Sequence, residues 1–415
     1  MNKIKELYSK YKLIFNCSIL AVLFSLNCFF YEGAYIVYPV LLILLMLSDL
    51  KDGMSLIVFC IPFICLSMPI GIYMYFACIV LFEIKFHFIA YFIDKKKPSR
   101  ALLIVTGLFV VYSLLPIGDY NINLIVKMCA ILTIVSLFTL FTRCPDDLRL
   151  RFNIRVISYG LLISAVFSLF FFVSPYLRSI FAYYNLSDTI IRFPALFANI
   201  NTLAMVCEIV LSLLVYFIVR KQATTIDAVS FVILSIIGLA TISKTFIILY
   251  AIMILILLVH CFKEYPFKTL LWLTVGAFLV LCLVVIKTDF VIKYSKRFIS
   301  DDFFTASLAD KLSYITTGRY DLWVDMLRYI GDNPLIILIG AGLGGDKVSI
   351  ESPHNFFITA LYNFGIIGLI IFVALFAVLF RNIKKQGIKV GGAIAIPFVI
   401  MGLMCLAEDF FLYIR

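Results

Sequence analysis

Long apolar stretches alternate with short polar connections along almost the whole chain. A helix needs about 17–25 mostly apolar residues to cross a lipid bilayer. Runs of roughly this length predict thirteen spans, near 13–30, 34–49, 54–71, 73–93, 101–117, 121–141, 155–173, 199–219, 226–243, 245–262, 268–286, 355–380 and 391–412. The apolar stretch 54–93 is divided at Pro69 and Gly71, and without that division the count is twelve. The pattern predicts an all-α polytopic membrane protein with about 12–13 transmembrane helices.

Composition supports this prediction. Of the 415 residues, 64% are hydrophobic and 14% are charged, whereas a soluble domain is about half apolar and about a quarter charged. Most of the eleven cysteines lie inside apolar runs and lack metal-ligand spacing, so they predict neither disulfides nor a metal site. The net charge of +11 is interpreted through its distribution along the chain and not as a sign of nucleic-acid binding.

Lysine and arginine concentrate in alternate connections, as the positive-inside rule requires of cytoplasmic loops. This predicts a cytoplasmic N-terminus and places two polar segments outside the cell, the loop 174–198 and the longer segment 287–353. The chain then divides into an N-terminal bundle (1–173), central helices with an outer loop (174–286), an extracytoplasmic loop (287–353) and C-terminal helices (354–415).

The outer segment 287–353 carries its own helical pattern. Tyr320, Trp323 and Leu327 recur on one face of a helix predicted over 319–330, and Gly331 and Pro334 follow as stop signals. A helix that only lies on the bilayer surface is the alternative.

A histidine stands just before the span 355–380. Ser352 suits the N-cap and Pro353 the first helical position, which predicts that His354 lies in the first turn at the outer membrane surface. A neutral histidine there can accept a proton from an attacking hydroxyl. A structural hydrogen bond at the interface is the alternative role.

Three cations occupy similar outer positions: Arg192 before the span 199–219, Lys244 in a tight turn between spans, and Arg319 at the start of the loop helix. Guanidinium groups and helix N-termini are standard phosphate ligands. Together with His354 they predict a site for an anionic, lipid-borne substrate, although cations at helix ends can also serve only as membrane anchors.

A charge inside a span is costly and by default suggests function. Glu208 lies two turns into its span, on the same face as Asn201. We therefore expect Glu208 to be an acidic residue of the site.

Several motifs resemble the O-antigen polymerase and O-antigen ligase superfamily. They are Thr317 to Trp323, Asn333-Pro334, Gly340 to Gly344, Ser352 to Phe356, Phe364 to Gly368, and Arg192 to Asn201 with Ala195 where the family has glycine. The similarity covers residues 192–381, and the first 190 residues match only in hydropathy.

The resemblance implies a C-type glycosyltransferase-like fold whose long outer loop caps the site. It implies a polyprenyl-pyrophosphate-linked oligosaccharide as donor, with no metal, cofactor or nucleotide sugar. His354 would be the base, and Arg192 and Arg319 would hold the pyrophosphate. Lys244 stands where the family usually has arginine, and Asn201 and Asn355 are further substrate-binding candidates from the same motifs.

Two enzyme activities share this signature. A polymerase would transfer the glycan to another lipid-linked repeat, with inversion, whereas a ligase would transfer it to lipid A–core. Phe356 and Phe357 stand where ligases tend to have an acidic residue, which favours the polymerase. A flippase for the lipid-linked oligosaccharide is the alternative from another class, but the chain has no internal repeat. The resemblance further implies the bacterial inner membrane, an extracytoplasmic active site, and flippase and chain-length regulator proteins as partners.

Overall fold

The computed structural model describes residues 2–27, 36–63, 70–93, 99–113, 131–133, 135–136, 147–172, 192–197, 199–264, 305–316, 318–342, 353–385 and 395–405. The described residues form helices and the turns between them, with no β-strand. The predicted span 268–286, most of the span 121–141, and residues 174–191 of the predicted loop 174–198 lie outside the described residues.

The first half of the chain contributes α1 (Asn2–Asn27), α2 (Val37–Leu47), α3 (Leu50–Cys60), α4 (Ile70–Phe88), α5 (Arg100–Ser113), α6 (Asp147–Ser168) and α7 (Ile200–Val219). The second half contributes α8 (Thr225–Ala240), α9 (Lys244–Glu264), α10 (Leu308–Thr316), α11 (Arg319–Asp332), α12 (Pro334–Ile339), α13 (Phe356–Lys385) and α14 (Ala395–Cys405). A π-helical turn extends α4 to Ile93, and a 3₁₀ turn extends α6 to Phe172.

Five described helices are long and apolar enough to cross a membrane, namely Tyr73–Ile93, Leu150–Ser168, Ile200–Val219, Lys244–Glu264 and Phe356–Val378. Shorter apolar helices cover Tyr11–Leu26, Val37–Leu47, Arg100–Tyr112 and Thr225–Ala240. The predicted fold class, an all-α polytopic membrane protein, is confirmed. In the stretch 54–93, α3 ends at Cys60 and α4 begins at Ile70, so Gly71 lies inside α4, and residues 64–69 lie outside the described residues. Of the described helices in this stretch, Tyr73–Ile93 is long and apolar enough to cross a membrane.

Helix α7 is the centre of the larger helical group. It packs against α6, α8, α9 and α14, and the core residues it contributes include Leu203, Leu211 and Leu214, none of which is exposed. Because α7 is surrounded on several sides, its first turn is held in a fixed position relative to α8 and α9.

The second group is built on α13, which packs on α5 and α12. Helix α13 is kinked at Gly365, whose φ of 58° is not helical. A Cβ on Gly340, just after α12, would lie 2.4 Å from the carbonyl oxygen of Asn363. The chain just after α12 can therefore contact the kink of α13 only because residues 340 and 365 are both glycine.

A buried ion pair joins α6 and α8. The Nε and Nη2 atoms of Arg155 lie 2.7 and 2.9 Å from the two carboxylate oxygens of Asp227, which is fully buried. Asp227 also accepts from the backbone N–H of Thr224, the residue before α8, at 2.8 Å. This carboxylate caps α8 and fixes its start against α6.

Candidate active site

A cavity of about 630 Å³ lies where α7, α9, α10 and α11 approach the segment before α13. Its polar lining consists of Arg192, Asn199, Asn201, Ser243, Lys244, Thr245, Thr316, Arg319 and His354, and its remaining lining consists of Ile248, Leu249, Ile252, Ile315, Leu322, Trp323 and Leu403. Five of the seven predicted site residues, Arg192, Asn201, Lys244, Arg319 and His354, thus share one cavity.

Arg192 is held by the turn between α8 and α9 and by the start of α7. Its Nε donates to the carbonyl oxygen of Thr241 at 2.9 Å, and its Nη2 donates to Oδ1 of Asn201 at 3.4 Å. The chain between Arg192 and α7 bends at Ala195, which has a φ of 48°. Because this left-handed conformation favours glycine, it accounts for the glycine that the resembling family has here.

Lys244, the first residue of the apolar helix α9, contacts the short helix α10. Its Nζ donates to the carbonyl oxygen of Tyr314, 70 residues away in sequence, at 2.7 Å. The same ammonium lies 4.5 Å from the centroid of the Tyr314 ring, a distance at which a cation is attracted to the π face. Lys244 therefore both lines the cavity and holds α10 in place.

Arg319 is the first residue of α11, directly after Gly318, which has a φ of 82°. The helix predicted over 319–330 is confirmed and ends at Asp332. Pro334 follows the end of α11 and is also the first residue of the next helix, α12. Arg319 and Trp323, one helical turn apart, both line the cavity.

His354 lies in a left-handed turn with a φ of 47°. The carbonyl oxygen of the preceding residue, Pro353, accepts a 2.7 Å hydrogen bond from Nε1 of Trp323. On its other side, Oδ1 of Asn355 accepts from the backbone N–H groups of Phe357 and Ile358 at 3.0 and 3.2 Å. The backbone of His354 is thus fixed from both sides, as is common for strained residues at functional sites.

This geometry corrects the predicted start of the helix. Ser352 lies outside the described residues, and Pro353 is not helical, because α13 begins at Phe356. Asn355 provides the N-cap instead, and the left-handed backbone of His354 cannot belong to a right-handed helical turn. His354 therefore precedes the helix and does not lie in its first turn.

Two predicted site residues do not line the cavity. Glu208 is fully buried in α7, about 10 Å along the helix from Asn201 at a rise of about 1.5 Å per residue. Asn355 is 5% exposed, and its side-chain oxygen caps α13. The structure thus places Asn355 in support of His354, and it keeps Glu208 in the protein core.

Sequence reasoning missed two parts of the site. The sequence places Trp323 on an apolar helix face and in a family motif but does not predict that it lines the site, and it does not predict α10. The sequence does contain a local signal for α10, since Ser307 stands three residues before Asp310. In the structure the backbone N–H of Asp310 donates to Ser307 Oγ at 3.2 Å, and Ser307 Oγ donates to Asp310 Oδ2 at 2.6 Å. This Ser-x-x-Asp arrangement is typical of a helix N-terminus.

The electrostatics of the cavity favour an anion. Arg192, Lys244 and Arg319 supply positive charge, and no carboxylate is among the lining residues in the part of the chain that the structure describes. Helices α7, α9 and α11 all begin at the cavity, and each helix N-terminus adds partial positive charge. Cations beside helix N-termini repel the helix dipoles, and a multiply charged anion bound among them would relieve this repulsion.

Fold and site together define a multi-pass, all-α membrane protein with a cationic cavity beside a histidine. Residues 229–373 match the model of the O-antigen ligase family. This match covers about a third of the chain and agrees with the resemblance to the O-antigen polymerase and ligase superfamily. The match includes Lys244, Arg319 and His354, whereas Arg192 and Asn201 precede it. Comparison with curated proteins and with solved structures gives no significant match.

Proposed function

We propose that the protein is a polysaccharide polymerase that transfers a glycan from a polyprenyl-pyrophosphate carrier to another lipid-linked repeat unit. The observation that carries the proposal is the cavity, in which three cations and three helix N-termini surround a space also lined by His354. The family match supports the reaction class.

In the proposed reaction, a hydroxyl oxygen of the acceptor sugar attacks the anomeric carbon of the donor. The new C–O bond forms as the bond to the pyrophosphate oxygen breaks, with inversion at the anomeric carbon. His354 accepts the hydroxyl proton, and the charge that develops on the leaving pyrophosphate is stabilised by Arg192, Lys244 and Arg319. Pyrophosphate is a good leaving group, so the protein needs to supply only a base and cations.

The lining also fits an amphiphilic donor. The cationic residues are accompanied by Ile248, Ile252 and Leu403 from two membrane helices. A lipid pyrophosphate could therefore keep its head group among the cations while its first isoprene units remain in apolar surroundings.

A ligase is the second candidate, because the matching family model is described as O-antigen ligase. We favour the polymerase because Phe356 and Phe357 follow the His-Asn pair. Phe357 is 51% exposed, so an acidic residue could be accommodated there, yet this chain has an aromatic one.

The test supplies purified protein with one short polyprenyl-pyrophosphate oligosaccharide repeat and separates the products by size. His354→Gln is compared with His260→Ala, a substitution near the other end of α9 that does not touch the cavity. A ladder that the wild type and His260→Ala form, and that His354→Gln loses by at least about 100-fold, agrees with a general base.

Transfer that requires added lipid A–core would identify a ligase. A product that retains the anomeric configuration would exclude the single displacement. If folded protein binds the repeat, transfers nothing and instead moves it between leaflets of a vesicle, the flippase alternative would replace the enzyme.

A further inference from the structure

Helix α12 is unusually apolar for a segment of the predicted extracytoplasmic loop. Residues 335–339 are all leucine or isoleucine. Ile336 is buried, but Leu335 and Leu338 are 65% and 51% exposed. Residues three apart share one face of a helix, and burying such a side chain away from water contributes about 1.5–3 kcal/mol. The exposed face of α12 therefore favours an apolar solvent.

The depth of this segment follows from its bonds to α13. The N–H of Ala341 donates to the carbonyl oxygen of Tyr362 at 2.7 Å, and the N–H of Gly342 donates to that of Asn363 at 2.9 Å. These acceptors lie about 9–10 Å along α13 from its first residue, Phe356. Because the apolar span of α13 begins at Phe356, the bonds are formed below the outer membrane surface.

Helix α5 gives an independent estimate of the same depth. The hydroxyl of Tyr112 lies 2.8 Å from each of the carbonyl oxygens of Ile339 and Phe364. Tyr112 is about 18 Å along α5 from Arg100, the residue at its cytoplasmic end by the positive-inside rule. In a hydrocarbon core about 30 Å thick, this places the end of α12 roughly 12 Å from the outer boundary.

Several polar backbone groups of the segment are paired with neighbouring protein, as hydrocarbon demands. Irregular backbone at membrane depth occurs only where protein covers it. Here the N–H groups after Gly340 donate to α13, and the carbonyl oxygens of Ile339 and Phe364 share the single hydroxyl proton of Tyr112. The close approach of Gly340 to Gly365 leaves no room for a side chain between them. A loop in water would need none of these arrangements.

We propose that residues 334–342 are a re-entrant segment of the membrane, with Leu335 and Leu338 in contact with lipid acyl chains. The segment anchors α11 in the bilayer, because Met326 and Ile330 of α11 pack with Ile336 and Tyr362. Helix α11, whose Arg319 and Trp323 line the cavity, is thereby held at a fixed depth relative to the membrane. This inference does not depend on the proposed enzymatic activity.

The experiment compares Leu338→Cys and Leu335→Cys with Leu308→Cys. Leu308, in α10, is 74% exposed, so the protein leaves more than half of the side chain uncovered at each of the three positions. Membranes opened by freeze and thaw, so that both faces are accessible, are treated with a membrane-impermeant maleimide, and labelling of the wild-type chain is subtracted. We expect the two α12 cysteines to react at least tenfold more slowly than Leu308→Cys, and all three to react equally after denaturation in sodium dodecyl sulfate.

A second readout uses the same variants in proteoliposomes. A bimane fluorophore attached at Leu338→Cys should be quenched by brominated acyl chains and little affected by iodide, with the opposite result at Leu308→Cys. Equal maleimide rates at the three positions, or quenching of the Leu338→Cys bimane by iodide alone, would overturn the proposal.

Discussion

Replacing Gly340 by alanine tests the contact between the segment after α12 and the kink of α13. Gly340 has a φ of 75°, and an added Cβ would lie 2.4 Å from the carbonyl oxygen of Asn363 and 2.6 Å from the backbone nitrogen of Gly365. Backbone atoms cannot move aside as a flexible side chain can. The substitution must therefore separate α12 from α13 or distort both.

Two other glycines serve as controls, one for backbone strain without steric overlap and one for helix propensity alone. Gly318 also has a positive φ, 82°, but a Cβ there would contact nothing within 4 Å, and the same open space surrounds Gly331, whose backbone is helical. We expect Gly331→Ala to stabilise α11 by about 0.5–1 kcal/mol. Gly318→Ala should cost about 1–2 kcal/mol through backbone strain alone. Gly340 has a ψ of 170°, a conformation open essentially only to glycine, in which another residue costs about 1–3 kcal/mol. Overpacking adds about 1–3 kcal/mol, so Gly340→Ala should cost about 2–6 kcal/mol.

The assay is reversible unfolding of the purified variants in mixed micelles, with helicity followed as the denaturing detergent is increased. The order of the free energies of unfolding should be Gly331→Ala, wild type, Gly318→Ala and Gly340→Ala, from most to least stable. If Gly340→Ala were no more destabilising than Gly318→Ala, the close packing of α12 on α13 would be refuted.

Three further substitutions test other parts of the structure. Trp323→Phe removes one hydrogen bond worth about 0.5–1.5 kcal/mol, so kcat for glycan transfer should fall about 2- to 12-fold. A changed KM with an intact kcat would contradict a positioning role. Asp227→Ala leaves Arg155, whose side chain is 23% exposed, without its carboxylate partner and should lower the free energy of unfolding by about 1.5–3 kcal/mol, whereas Glu264→Ala, which breaks an exposed pair, should leave it unchanged. Ala195→Gly should keep stability within about 1 kcal/mol, because relief of left-handed strain offsets the lost methyl group, while Ala195→Val should melt at a clearly lower temperature.

Local patterns in the sequence are sufficient to predict the class of protein and several of its helices. Apolar runs longer than a soluble helix needs can be buried only in a bilayer, so composition alone predicts membrane helices. The apolar periodicity of 319–330 likewise predicts α11, since both signals arise from neighbouring residues. The predicted span 355–380 agrees with the start of α13 at Phe356, but the predicted N-cap was wrong. Ser352-Pro353 and Asn355 are both good local N-cap signals, and only the left-handed backbone of His354 decides between them.

Contacts between residues far apart in sequence decide which candidate residues share the cavity. Lys244 meets Tyr314 across 70 residues, and Trp323 reaches Pro353 across 30. Glu208 and Asn201 share one helix face, yet α7 packs so that Glu208 lies in the core and Asn201 at the cavity. The sequence by itself determined that the protein is a bundle of membrane helices carrying cations, a histidine and family motifs. Only the tertiary structure decided which of these residues face one another, because helix packing and chain reversal, unlike helical periodicity, are not encoded in any short stretch of residues.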